Sequence, residues 1–460
     1  MNKSFDNFLT SIKNKNITIL GIGISNTPVI SMLVNAGAIV TARDKKTKDK
    51  LGDVANELES LGVKLVLGED YLENISGDYI IKTPGIRFDT PQLVKAKQNG
   101  SIITSEMELF FDYCPCPIIA ITGSDGKTTT TSLVYEMLKK AGYTVHLGGN
   151  IGMPLLPRIK GISEKDITVV ELSSFQLHTM KKSAQVSVVT NLSPNHLDWH
   201  TGMDEYIDSK TNIFKFQSQN ETLVVNFNNE ITNSFKANGK LKKFAYGRKP
   251  DSDGAYFEND TLYLYKDGKS TEIIKRSDIK IRGDHNVENY LAAIVATEDF
   301  CSAEDVEWVA RNFSGVRHRI EFAGEKNGVK FYNDSIGSSP TRTIATLRSF
   351  DDKVILIAGG YDKKIPFDTL ADEIPKKVKK LVLTGKTADL IYKALLKNPE
   401  FDKELLPVEL VDGFENAVRK AASLAQKGDD VLLSPACASF DEFKNFEERG
   451  DKFIEIVNSL

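Results

Sequence analysis

The sequence predicts an α/β protein made of three consecutive α/β domains, and three observations carry that expectation. Short apolar runs that end in glycine or polar residues alternate with segments of helical period along most of the chain, the pattern of parallel βαβ units. The 460 residues amount to about three domains at roughly 150 residues each. A proline-bearing break, "FFDYCPCP", and a later change in strand pattern divide the alternation. The expected domains are residues 1–112, 113–313 and 314–460.

Taken in order, "ITILGIG" is an apolar strand ending in glycines, "NTPVISMLVNAGA" a helix stopped at Gly37, "IVTARD" the next strand and "DYIIKTPGI" a later one. This first series is expected to be Rossmann-like. "FFDYCPCP" reads as a linker. A second series starts at "PIIAIT" and runs to about residue 312, with a more β-like insertion over roughly 221–282 that holds "GAYFEND" and "TLYLYKDGK". Its first strand runs into the glycine turn "GSDGKT", so the central unit is expected to be a P-loop-type ATPase sheet. The last third alternates again through "KVILIAGG", "KLVLTG", "PVELV" and "DVLLSP", a second Rossmann-like unit.

Composition narrows the function classes. Net charge is −4, from 59 basic and 63 acidic residues, which argues against a nucleic-acid footprint. No window approaches 18 uncharged apolar residues, and the N-terminus lacks a signal-type apolar core, so no membrane span is expected. Cys114, Cys116, Cys301 and Cys437 have no metal-ligand spacing and read as free thiols of a reducing cytoplasm. A cytoplasmic monomer is expected.

The most informative stretch is "IAITGSDGKTTTT", residues 119–131. A buried strand precedes it and a helix follows. Gly123, Ser124, Asp125, Gly126, Lys127 and Thr128 therefore sit where a tight turn and a helix N-terminus point backbone N–H groups at one place, which favours an anion. Lys127 can neutralise phosphates and Thr128 can offer a hydroxyl to Mg²⁺. Ile121 stands where the usual phosphate loop has its first glycine. Two further strands end in polar groups: "DITVVELSSFQL" places Glu171, and "VSVVTNLSPNHLDWH" places Asn191, His196 and Asp198. In a parallel sheet these ends share one rim. Glu171 could meet Mg²⁺ there, or cap the following helix; His196 could be a second ligand or a loop residue. Gly21-Ile22-Gly23 resembles a dinucleotide fingerprint, but Asn26 replaces its third glycine. Asp44, after the second strand, could bond a ribose hydroxyl.

The motifs "ITGSDGKTT", "ELSSFQL", "NLSPNHLDWH", "GDHNVENYLAA", "GVRHRIEF", "FYNDSIGSSP" and "LLSPACASFDEFKNFEERG" together resemble the Mur ligases, ATP-dependent amide-forming enzymes of peptidoglycan synthesis. The resemblance implies ATP and Mg²⁺ as cofactors and an acyl-phosphate intermediate. The last motif is similar to that of the D-glutamate-adding branch, which implies UDP-N-acetylmuramoyl-L-alanine and D-glutamate as substrates. It further implies that Gly123 to Thr129 (Thr129 included), Asn286, Arg319 and Asp334 bind ATP. Thr128, Glu171, His196 and Lys210 are implied at the metal ions, with Lys210 carbamylated. Lys127, Glu171, His196 and Lys210 would be the catalytic set. Ile24, Ser25, Asp44, Lys45, Thr83, Pro84, Gly85, Asn150 and His196 would line the uridine-nucleotide substrate. Ser338, Lys363, Ser439, Phe440 and Phe446 would hold D-glutamate, with Ser439 and the Phe440 N–H at a helix N-terminus. Two departures stand out: Ser124-Asp125 where Thr-Asn is frequent, and Ile336 where the family commonly has a lysine. Rival readings are an amide ligase for another amino acid, or a nucleotide-binding regulator that turns over ATP without ligation.

Overall fold

A computed structural model describes residues 4–197, 199–281, 283–363 and 365–460. The described chain forms two compact units. One runs to Asp278 and includes His285–Arg311; the other joins Ile279–Asp284 to Asn312–Leu460.

The first unit holds two sheets. In the first, β1 (Asn16–Leu20), β2 (Ile39–Asp44), β3 (Lys64–Leu67), β4 (Tyr79–Lys82) and β5 (Ile102–Thr104) lie in the order β3-β2-β1-β4-β5, every pair parallel. This is the doubly wound order, with its crevice beyond the carboxyl ends of β1 and β4. The second sheet has nine strands: β6 (Ile118–Thr122), β7 (Val145–Gly149), β8 (Ile167–Glu171), β9 (Val186–Val189), β10 (Thr222–Asn226), β11 (Lys240–Tyr246), β12 (Gly254–Glu258), β13 (Thr261–Lys266) and β14 (Lys269–Lys275). Their order is β14-β13-β12-β11-β10-β9-β6-β8-β7. The sheet is parallel from β7 across to β12, and β12, β13 and β14 pair antiparallel. The β-like stretch expected as an insertion thus continues the same sheet, because β10 finds a parallel partner in β9. β6 lies between β8 and β9, so the loop after β6 opens at a topological switch point.

The expected linker is different in the structure. Phe110, Phe111 and Tyr113 belong to a helix, Glu106–Tyr113, capped by the Ser105 side chain. Met107, Phe110 and Phe111 are buried in one apolar cluster that reaches from Phe8, Ile17 and Val29 to Ile118, Leu155 and Val225. Burying two phenylalanines outweighs the turn-forming tendency of the prolines that follow, at about 1.5–3 kcal/mol per fully buried large side chain. Glu106 is buried there too, and accepts the N–H groups of Leu155 and Leu156 at 3.1 and 2.9 Å.

The second unit has one sheet: β15 (Glu321–Lys326), β16 (Val329–Asn333), β17 (Val354–Gly359), β18 (Val378–Thr384), β19 (Val408–Leu410) and β20 (Asp430–Leu433), in the order β15-β16-β20-β17-β18-β19. Only β15 and β16 pair antiparallel. Apolar clusters cover both faces, which is why β17 reads as an unbroken run of buried residues.

Candidate functional site

The turn after β6 is held by side chains from distant parts of the first unit. Gly123 has φ 151° and Gly126 φ 78°. A Cβ on Gly123 would lie 1.9 Å from Thr190 Oγ1, and one on Gly126 would lie 2.3 Å from Asn289 Oδ1, so both positions need glycine. Thr190 Oγ1 donates to Asp125 O at 2.6 Å, and Asn191 Oδ1 accepts the Asp125 N–H at 3.0 Å. Ser124 Oγ donates to Ser193 O (2.9 Å), accepts the Ser193 N–H (2.9 Å) and lies 2.8 Å from Tyr206 Oη. The Ser124 departure therefore fits, because its hydroxyl is used inward. Asp125 is exposed, so water screens its charge from any phosphate on the turn. The Lys127–Lys140 helix starts immediately after Gly126. It buries Thr129, Thr130, Leu133, Val134 and Met137, while Lys127 and Thr128 stay partly exposed at its start. Lys127 Nζ donates to Ser124 O at 2.9 Å, which keeps the ammonium over the turn. Thr128 is half-buried beside it.

Glu171 ends β8 on the same rim and is 1% exposed. Its Oε1 accepts the Asn150 amide at 2.8 Å, and its Oε2 has no hydrogen-bond partner among the described residues. The helix-cap alternative for Glu171 does not hold: Ser173 caps the next helix, with Gln176 completing a capping box. Lys210, on the Met203–Thr211 helix, is 2% exposed. Its Nζ donates to Thr122 Oγ1 (3.1 Å) and Gly123 O (2.9 Å) and lies 5.0 Å from the Tyr206 ring centroid. Burial pushes its pKa well below the ordinary lysine value. Lys127 adds to the shift, and Glu171 and Asp125 oppose it. A buried lysine that loses its proton readily is nucleophilic. His196 is exposed, in a left-handed turn (φ 55°), with its ring 5.0 Å from that of Phe175. Asp198 lies outside the described residues. Asn286 Oδ1 accepts the Asn289 amide at 3.0 Å, which ties it to the residue packed on Gly126.

Of the expected uridine-side residues, Ile24, Ser25, Asp44, Lys45, Thr83, Pro84 and Gly85 lie at the carboxyl edge of the first sheet, whereas Asn150 and His196 follow β7 and β9 of the second. Asp44 takes the N–H groups of Ile22 (2.7 Å) and Lys46 (2.8 Å), so its first role is to hold the glycine turn. Asn26, in place of a third glycine, donates to Gly21 O at 2.9 Å. Ile24, Ser25 and Lys45 are exposed at this edge. The Thr83 N–H donates to Leu20 O (2.9 Å), which sets Thr83, Pro84 and Gly85 beside Gly21. Asn150, expected at the muramoyl substrate, is bonded to Glu171 at both backbone and side chain.

In the second unit, Asp334 is fully buried and accepts hydroxyls from Thr346 (2.8 Å) and Ser434 (2.7 Å). Burial pushes its pKa up to about 6, against those hydroxyls and the Arg319 charge. Lys363 Nζ lies 3.2 Å from Ser338 O and 3.3 Å from Ser338 Oγ, so those two come together. Ile336 is half-buried, with its N–H on His318 O. Ser439 is buried and Phe440 is 63% exposed beside Tyr361. The expected helix N-terminus at Ser439 and Phe440 is not there. Ser439 O accepts the N–H groups of Glu442 and Phe443 in an isolated turn, and the helix begins at Phe446 behind an Asn445 cap. The "NFEE" run supplies the better cap: Asn445 with Glu448 three residues on. Phe446 packs against His318 at 6.0 Å between ring centroids.

Sequence reasoning missed Thr190, Tyr206 and Asn289 around the phosphate turn. It also missed Arg449, a buried guanidinium that donates to Ser335 Oγ and to the carbonyls of Ser335, Cys437 and Ala438 at 2.9–3.1 Å. Burial lowers its pKa to about 10.

Fold and geometry together define a parallel-rich α/β protein with a rigid glycine turn and a helix N-terminus at the switch point of its nine-stranded sheet. Residues 121–297 match the Mur ligase middle domain, and residues 318–437 match the Mur ligase, glutamate ligase domain. The chain belongs to the Mur ligase family. It is 53% identical, over the full length of both chains, to UDP-N-acetylmuramoylalanine–D-glutamate ligase of Acetivibrio thermocellus, and equally so to the ligase of that name from Clostridium novyi. Among solved structures, UDP-N-acetylmuramate-alanine ligase from Thermotoga maritima superposes with a TM-score of 0.58 at 18% identity, covering 97% of this chain and 99% of that one. A MurF ligase from the same organism, solved with ADP, gives 0.53 at 16%, covering 97% and 96%. These two likenesses concern the fold.

Proposed function

We propose that the protein is an ATP-dependent ligase that joins D-glutamate to UDP-N-acetylmuramoyl-L-alanine in peptidoglycan precursor synthesis. The observation that carries the reading is a single rim that gathers the Gly123–Thr128 turn, Glu171 and Lys210, in a chain whose full-length relatives bear that activity as their name. Residues 1–112 would take the uridine nucleotide, 113–313 ATP, and 314–460 the amino acid.

The donor set fits Mg²⁺. Glu171 Oε2 is a buried carboxylate oxygen without a partner among the described residues, and hard oxygen donors suit that ion. Thr128, Glu171, His196 and a carbamylated Lys210 would hold it, and the bound ion would neutralise phosphate charge. Lys127 and the N–H groups of the turn bind and orient the triphosphate. The alanyl carboxylate oxygen attacks the γ-phosphorus, and the bond from that phosphorus to the ADP oxygen breaks. The D-glutamate amine then attacks the acyl carbon: a C–N bond forms, the C–O bond to phosphate breaks, and the amine gives up its proton. Most of the rate comes from positioning and electrostatics. Lys363 and Ser338, 3.3 Å apart, would receive a side-chain carboxylate of the amino acid.

The test is ADP release with ATP, Mg²⁺ and UDP-N-acetylmuramoyl-L-alanine against a panel of amino acids. Release should require D-glutamate. ATP turnover independent of amino acid would support the regulatory reading, and a preference for L-alanine or L-lysine another branch of the family.

A further inference from the structure

The loop after β4 and the segment after β9 are joined by a polar cluster centred on Arg87. Its guanidinium donates to Glu205 Oε1 at 2.8 Å and Oε2 at 3.2 Å, and to Trp199 O at 2.8 Å. Asp89 takes its remaining edge at 2.8–2.9 Å. The same guanidinium lies 4.8 Å from the Trp199 ring centroid, and Trp199 Nε1 donates back to Gly85 O at 3.2 Å. The Thr201 N–H donates to Glu205 Oε2 at 2.6 Å, and the His178 ring lies 3.1 Å from Oε1. His178, His200 and Glu205 have the make-up of a metal-ligand set, their ligand atoms lying within 4.8 Å of one another. Arg87 already supplies the cation, because both Glu205 oxygens are engaged by it. Burial keeps both imidazoles less basic than usual, against the pull of Glu205.

The cluster has a position as well as a chemistry. Arg87 follows Thr83-Pro84-Gly85 by two residues, Trp199 and His200 follow His196, and Glu205 shares its helix with Lys210. A bidentate arginine–carboxylate pair fixes geometry, which a lysine in its place could not. We propose that Arg87 is a positioning residue that locks the uridine-side loop to the His196 turn and the Lys210 helix, so that a uridine nucleotide on one side sets the catalytic residues on the other. The contacts run without a gap from Gly85 through Trp199 and Arg87 to Glu205, a route along which such coupling can travel. The identity of the nucleotide rests on the function proposed above.

The test uses the full chain. Trp199 and Trp308 are the two tryptophans, so Trp308→Phe leaves Trp199 as the sole reporter. UDP and UDP-N-acetylmuramoyl-L-alanine, titrated separately, should shift its emission, and Arg87→Ala should reduce that shift by about 5-fold or more, with Arg87→Lys recovering less than half. In turnover, Arg87→Ala should raise KM for the uridine substrate about 10-fold and lower kcat, with KM for D-glutamate changed by less than about 2-fold. Glu205→Ala added to Arg87→Ala should cost less than about 2-fold more. The proposal is overturned by any of four results: no emission response with Arg87 intact, an unchanged response in Arg87→Ala, losses that multiply in the double variant, or all KM values moving together with a lowered Tm. An Arg87-dependent emission response in a protein that makes no product from D-glutamate would support the clamp while refuting the D-glutamate reading.

Discussion

Lys210 shows how one side chain can be costly to fold and useful to keep. Its pKa is depressed by burial, so between that depressed value and the ordinary one the unfolded chain binds more protons than the native chain. Its penalty is therefore fully present at low pH and is relieved as pH rises through that window. Lys210→Met should abolish ligation yet leave Tm at pH 7 unchanged or higher; a large fall in Tm would contradict the assignment of Lys210 as a chemical rather than a structural residue. In labelled bicarbonate, a carbamate ¹³C signal should be present in the parent protein and absent from this variant. Lys127→Ala should cut kcat by at least ~10²-fold, the size expected for losing a donor to the transferring phosphate, and near-normal turnover would remove Lys127 from the mechanism. Asp334 has the opposite sign. Its pKa is raised from 3.8 to about 6, so its contribution is most favourable below 3.8 and is lost as pH climbs through about 6. The difference in Tm between Asp334→Asn and the parent should therefore grow in the variant's favour from pH 4 to pH 6.5, and a flat difference would mean that this carboxyl is not the titrating group.

The strand–turn–helix unit from Ile118 to Lys140 was readable because its signals are local: an apolar run, glycines at the turn, then a helical period closed by Gly142. What makes the turn rigid was not readable. Thr190, Tyr206 and Asn289 come from segments some 65 to 165 residues away, and no spacing rule points to them. Arg449 was hidden for a related reason. A charged residue in "FKNFEERG" reads as the outer face of an amphipathic helix, and only the fold turns it inward onto three carbonyls. The error over "FFDYCPCP" was one of weighting, since its prolines signalled a break while its phenylalanines were core. Gly126 tests the packing of this element. Gly126→Ala would force a Cβ to within 2.3 Å of Asn289 Oδ1 at a positive φ, and should cost about 1–3 kcal/mol of stability, read as a lower urea midpoint. Asn289→Ala made alongside should recover part of that loss; no recovery would mean that backbone strain, not the contact, sets the need for glycine.

Two compact units, carrying three parallel-rich sheets, place different chemistry at different strand ends. The first unit supplies a glycine turn beside a buried carboxylate and a buried lysine, and the β1 end where Asp44 holds Ile22 and Thr83 lies beside Gly21. The second supplies Lys363 against Ser338 and the buried Asp334–Arg449 framework. In the function proposed above, a carboxylate is first phosphorylated and its acyl group is then passed to an amine. Oxygen tracing tests that sequence. UDP-N-acetylmuramoyl-L-alanine labelled with ¹⁸O in its alanyl carboxylate is turned over with ATP, Mg²⁺ and D-glutamate, and the released phosphate is analysed by mass. One labelled oxygen should appear in the inorganic phosphate for each amide formed. Unlabelled phosphate alongside amide product would show that the carboxylate is never phosphorylated on this protein.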